Sequence, residues 1–175
     1  LFLPIIIGIS TFVSLNLNEI KSNELDQILN IGREKLSESD YKGALKEFNS
    51  IIKNYPKIWQ AFHNRGLSKF KLGDLKGALE DFTKAIELNE NPWAESYLQR
   101  AYINGATENY DESISDFTKA IEKGLDKYSE EQAYFLRGLA KAILEDFEGS
   151  ISDFSKAIEL NPNNFEAYNE RGSNQ

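Results

Sequence analysis

His63 is the one imidazole in the 175 residues, and there is no cysteine. Thiol catalysis, disulfides, cysteine-based zinc sites and a lipidated cysteine are thereby excluded, as is any site that needs two imidazoles. A lone histidine is a poor candidate for a general base without a group to orient it, and His63 reads instead as a groove or surface residue. Carboxylates are plentiful, with 28 Asp and Glu against 20 Lys and Arg. Acid–base catalysis needs two of them converging on one place, whereas here they follow a repeating register and read as solvated helix faces. There is no glycine-rich phosphate loop and no His-Glu-x-x-His zinc motif. The chain therefore reads as a non-enzyme, with no catalytic residues, cofactor, metal or small-molecule substrate. The net charge of −8 works against a nucleic-acid partner, because phosphate binding needs clustered Lys and Arg.

Before any element is placed, residues 1–17, LFLPIIIGISTFVSLNL, stand apart. They carry no charge and are dense in Leu, Ile, Phe and Val. The run is slightly short for a membrane span of about 20 residues and matches the apolar core of a secretory signal. An uncleaved N-terminal anchor is the alternative. A buried helix fits less well, because Pro4 and Gly8 interrupt the run and it has no polar face. Residues 18–24 read as a polar linker. Methionine is absent even at residue 1, so the sequence reads as a fragment or a processed chain. The expected location is exported or membrane-associated through residues 1–17, and cytoplasmic if they are not a signal.

The elements that must position any site come from an internal repeat. DYKGALKEFNSIIKNYP begins at Asp40, DLKGALEDFTKAIELNENP at Asp74, NYDESISDFTKAIEKG at Asn109 and DFEGSISDFSKAIELNP at Asp146. Their central aromatics are Phe48, Phe82, Phe117 and Phe154. Asp40, Asp74, Asn109 and Asp146 are expected helix N-caps, whose short side chains accept from first-turn amides. Phe82, Ala85, Ile86 and Leu88 recur at helical spacing. Pro56, Pro92, Pro162 and Gly124 follow the helix ends. A second helix lies upstream of each block, beginning at Leu25, Trp59, Ala94, Glu131 and Phe165. Small residues sit at matching heights: Gly32, Gly66, Ala101, Gly138 and Gly172 upstream, Ala44, Ala78, Ser113 and Ser150 downstream. A mid-helix glycine costs roughly 1 kcal/mol in propensity, so close helix packing is the expected reason for it.

These blocks resemble the tetratricopeptide repeat family over residues 25–172. The resemblance implies an all-α solenoid of stacked antiparallel helix pairs wound into a right-handed superhelix. The expected units are 25–58, 59–93, 94–130 and 131–164, with a partial unit at 165–175. Two positions depart from the family pattern. Ile28, Phe62, Tyr97, Tyr134 and Tyr168 stand where Trp is common, and Lys35, Lys69, Asn104 and Lys141 stand where Tyr is common. The third unit, with Asn104, Gly105 and Ala106, looks the weakest.

By the same resemblance, first helices line a concave face and second helices a convex one. Residues 40–54, 74–90, 109–123 and 145–160 hold 16 acids and 8 bases, the whole net charge of the chain. The acidity is thus expected on the outer face, where it favours solubility. The expected partner-binding groove runs through Arg33, His63, Asn64, Phe70, Lys71, Gln99, Tyr102 and Phe135, with Asn30, Leu67 and Leu98 beside them. Leu136 and Leu139 read equally well as packing between units. Such a near-neutral, aromatic-rich surface suits an apolar or amphipathic segment of a protein partner. The carboxylate clamp of chaperone-binding members is not matched, because Leu29 and Arg33 occupy its Lys and Asn places.

Four first helices carry Arg before the small residue: Arg65, Arg100, Arg137 and Arg171. The first unit has Ile31 there, and no unit precedes it. Arg100 is therefore expected near Asp81 of the preceding unit, and Arg137 near Asp116; pairing within a repeat is the alternative, but it would leave Arg171 alone. The function that follows is a protein-interaction scaffold. A self-assembling repeat module, or a targeting module of a larger protein with its catalytic part elsewhere, stands as the alternative.

Overall fold

The computed structural model describes residues 23–174. The expectations for residues 1–17 as a signal or membrane tether fall outside them. Nine helices and no strand occupy the described residues: α1 (23–37), α2 (Tyr41–Asn54), α3 (Trp59–Lys71), α4 (Leu75–Leu88), α5 (Ala94–Ala106), α6 (Tyr110–Lys123), α7 (Lys127–Ile143), α8 (Phe147–Leu160) and α9 (Phe165–Ser173). Odd and even helices pair as antiparallel hairpins, and successive hairpins stack. The fold is an all-α helical repeat solenoid.

Each hairpin closes on its phenylalanine. Phe48, Phe82 and Phe154 are fully buried and Phe117 nearly so. A β-carbon placed on Gly32, Gly66 or Gly138 would stand 2.6, 3.0 and 2.9 Å from the facing phenylalanine ring. The sequence cost of a mid-helix glycine is thus offset by a large aromatic buried against bare backbone.

Helix starts follow the expected caps with one exception. Asp40, Asp74 and Asp146 accept from the amides of Gly43, Gly77 and Gly149 at 2.9, 2.9 and 3.0 Å. Asn109 makes no side-chain cap bond; its amide nitrogen turns back to donate to Thr107 Oγ1. Two boundaries also differ from expectation. Residues 23 and 24, assigned to the linker, are already helical. Helix α7 begins at Lys127, not Glu131, because Asp126 caps it by accepting from Tyr128 N and Ser129 N.

Candidate functional site

The repeated arginines sit at the junction of each hairpin with the one before it. Arg65 donates through Nε and Nη2 to the Asp81 carboxylate at 2.8 and 2.6 Å. Arg100 holds Asp116 at 2.7 and 2.8 Å, and Arg137 holds Asp153 at 2.8 and 2.7 Å. Arg100–Asp81 and Arg137–Asp116 pairs do not form, which corrects the expectation of pairing with the preceding unit. The geometry gives the reason: helices of one hairpin face each other along their length, so the acid one hairpin turn away lies opposite the guanidinium.

The link to the preceding unit is made by the remaining nitrogen. Nη1 donates from Arg65 to Asn49, from Arg100 to Thr83, from Arg137 to Thr118 and from Arg171 to Ser155. All four acceptors directly follow a central phenylalanine. Each guanidinium also lies 5.3–5.9 Å from the ring three residues earlier: Phe62, Tyr97, Tyr134 or Tyr168. Bidentate pairing together with cation–π stacking is a guanidinium property that Lys does not reproduce.

The polar residues in the family's Tyr place complete this layer. Lys69 and Lys141 reach Asp81 and Asp153 at 2.9 Å, Asn104 donates to Asp116, and Lys35 pairs with Glu47. Asp81, Asp116 and Asp153 are therefore buried and paired. The expected outer acidity is corrected for these three, which point into the hairpins.

The groove residues divide into two groups. His63 is 3% exposed and Asn64 7%, so neither lies on an open face. Ser96 Oγ sits 2.9 Å from His63 Nδ1, and the Phe82 and Trp93 rings close edge-on around the imidazole. Burial, with the charge of Arg33 adding, pushes the His63 pKa down to about 4. Asn64 donates to the Gln60 carbonyl. Leu98 is buried too. All three are buried for one reason: each first helix is clasped by the next, and its inward positions become inter-unit contacts. Phe70 is half-buried against Ala78, Phe82 and Ile103, and Phe135 against Ala157, Ile158 and Ala167.

Two of the expected residues are fully accessible, and two more, like Phe70 and Phe135, are partly so. Arg33 and Lys71 are exposed, and Gln99 and Tyr102 half-buried. Neither cation forms an ion pair among the described residues. Tyr102 packs edge-on against Phe117 at 5.5 Å. Burial raises its pKa to about 12, with Glu95, Tyr128, Asp126 and Glu131 contributing. It borders an apolar cleft of about 350 Å³, lined also by Gly105, Tyr110, Leu136, Leu139 and Ile143. Leu136 thus packs against the core of the third unit and, with Leu139, faces the cleft. Gly105 and Ile143 were not among the expected site residues.

No curated protein sequence matches the chain. Models of the tetratricopeptide repeat match residues 59–92, 94–122 and 131–164, together more than half of it. Solved structures similar to the whole array include MamA, 23% identical with a TM-score of 0.73 and 82% of each chain covered. YrrB, described as a protein of this repeat type with an unusual peptide-binding site, is 17% identical with a TM-score of 0.79, covering 90% of this chain and 80% of its own. The corresponding domain of OM64 from Arabidopsis is 27% identical with a TM-score of 0.57, covering 66% of this chain and 93% of its own.

Proposed function

The chain belongs to the tetratricopeptide repeat family, and we infer on that premise that it is a non-catalytic scaffold binding a segment of another protein along the face of α1, α3, α5 and α7. The observation that carries this reading is the combination, on that face, of two unpaired exposed cations with an unfilled apolar cleft. The buried arginine–aspartate layer, by contrast, is consumed in the array's own stitching. The face offers what a bound segment needs: apolar area, and polar groups at its rim to fix orientation. Tyr102 lines the cleft, Gln99 lies one turn before it on α5, and Arg33 and Lys71 bias the direction of a bound chain. YrrB's described peptide binding accords with this use of the fold. The imidazole supports no catalytic reading, since His63 and Ser96 are sealed from solvent.

Crosslinking mass spectrometry in the native host identifies the partner. Binding and thermal melting are then measured together for Gln99→Ala and Lys71→Glu, which replace accessible side chains. Weaker binding at unchanged melting temperature is expected. Variants that melt and bind like the parent overturn the reading.

Residues 1–17 are assigned to export or membrane tethering, on the strength of their charge-free apolar run. Among the described residues no helix is long and apolar enough to cross a membrane. Fractionation that finds the native protein only in the cytosol would contradict this assignment.

A further inference from the structure

We propose that the cleft between α5, α6 and α7 receives one bulky apolar side chain from a partner segment that carries an acidic residue a few positions away. The proposal rests on the partner-binding reading above and names what that face selects.

Successive interfaces of the array show why the cleft exists. Between the second and third units, Phe70 and Ile103 fill the space beside Phe82 and Ala78. Their repeat counterparts between the third and fourth units are Gly105 and Ala140, and both border the cleft. Two large side chains are thus replaced by almost none at the same point of the repeat. The flanking helices do not close the gap, because the Phe117 and Phe154 hairpins on either side are set by their own cores. A void of about 350 Å³ is near the lower end of ligand pockets, roughly 300–1,000 Å³. It suits a single large side chain better than a whole helix face. Its mouth is apolar: Ile143 is 55% exposed, and Leu144 and Phe147 continue the surface beyond it.

Charge gives the second half of the proposal. Lys71 is the repeat counterpart of Ala106 beside the cleft, one first helix away. Packed helices lie roughly 8–10 Å apart, the span of about three residues of extended chain. Arg33 lies one helix further. Both cations lack an acidic partner within the described residues, so an acid about three positions from the anchor meets Lys71, and a second one meets Arg33.

The test uses the full chain to pan a random dodecapeptide library, with fluorescence polarisation on selected peptides. Enriched sequences are expected to share one Phe, Leu, Ile or Trp with an acid about three residues away. Ala140→Ile, which restores the filling seen at Ile103, should weaken binding at least tenfold while the melting temperature holds or rises. Gly105→Phe provides a second filled variant. Lys71→Glu should also weaken binding about tenfold. Peptides that bind both filled variants as they bind the parent overturn the cleft proposal. If those peptides are still lost in Gln99→Ala and Lys71→Glu, the first-helix face survives as the binding surface. Peptides indifferent to all four variants, or no enrichment at all, count against both readings. Selected peptides with no acid, displaced by a synthetic peptide of residues 1–17 or by added chain, would assign the cleft to the protein's own segment or to a second copy, and so overturn the proposal.

Discussion

A carboxylate shared by two cations is the most demanding residue environment in this molecule. Asp153 receives Arg137 and Lys141 and is almost wholly buried. Removing one partner of such a cluster leaves charge desolvated without compensation, at a cost of about 3–5 kcal/mol. Asp153→Ala is therefore expected to lower the unfolding free energy from urea titration by that order, while Lys84→Ala, which breaks an exposed pair with Glu87, should change it little. His63 gives a pH prediction. Its folded pKa is depressed from 6.5 to about 4, so the folded state resists protonation. The corresponding stability is intact above pH 6.5 and falls as pH drops toward 4, by about 3 kcal/mol. Unfolding measured from pH 7 to pH 4 should show this loss in the parent and a flatter profile in His63→Gln. Equal slopes in the two would contradict the buried neutral imidazole. The side-chain types were legible in the sequence, but their partners were not. Ile31 in the first unit correctly marks an arginine that reaches backward. It does not reveal that both links form at once, the acid coming from the arginine's own hairpin and the backward bond going to a hydroxyl or amide.

Each hairpin turn places one residue in the left-handed region just before the cap. Gly73 occupies this place with φ 85° in the second unit, but Ser39, Glu108 and Glu145 take it with φ 62–63°. A side chain there is strained by about 1 kcal/mol relative to glycine. Glu145→Gly should accordingly raise the melting temperature, and a lowered value would show that the turn draws stability from the glutamate side chain. The converse holds inside the hairpins. A β-carbon on Gly138 would lie 2.9 Å from Phe154 and 3.3 Å from Asp153 Cβ, so Gly138→Val is expected to destabilise by at least about 1–3 kcal/mol. Helix starts and stops were largely legible because Asp caps, Gly and Pro act locally. Asn109 departs from the pattern because its residue type permits capping without requiring it. The early start of α7 was missed because Asp126 lies outside the recurring block.

The repeat period made the solenoid legible, since four agreeing blocks constrain one another. The face of the first helices was legible only in part. Period locates which positions point inward, but not how tightly the next unit covers them, and so His63, Asn64 and Leu98 proved buried. The cleft is legible only by comparing one interface with the next, Phe70 and Ile103 against Gly105 and Ala140. The stitching layer also predicts a gradient along the array. Solenoid stability is approximately a sum of unit and nearest-neighbour contributions, and α1 carries Ile31 in place of the arginine. Native-state hydrogen exchange should find α1 opening before α3, α5 and α7, and equal protection of all four would contradict an energetic role for the arginines. The same method tests the central claim most directly. With the crosslinked partner purified and bound, protection should increase in α3, α5 and α7 around Lys71, Gln99, Tyr102 and Leu139. Protection confined to α4, α6 and α8 would place the partner on the opposite face and contradict binding along the first helices.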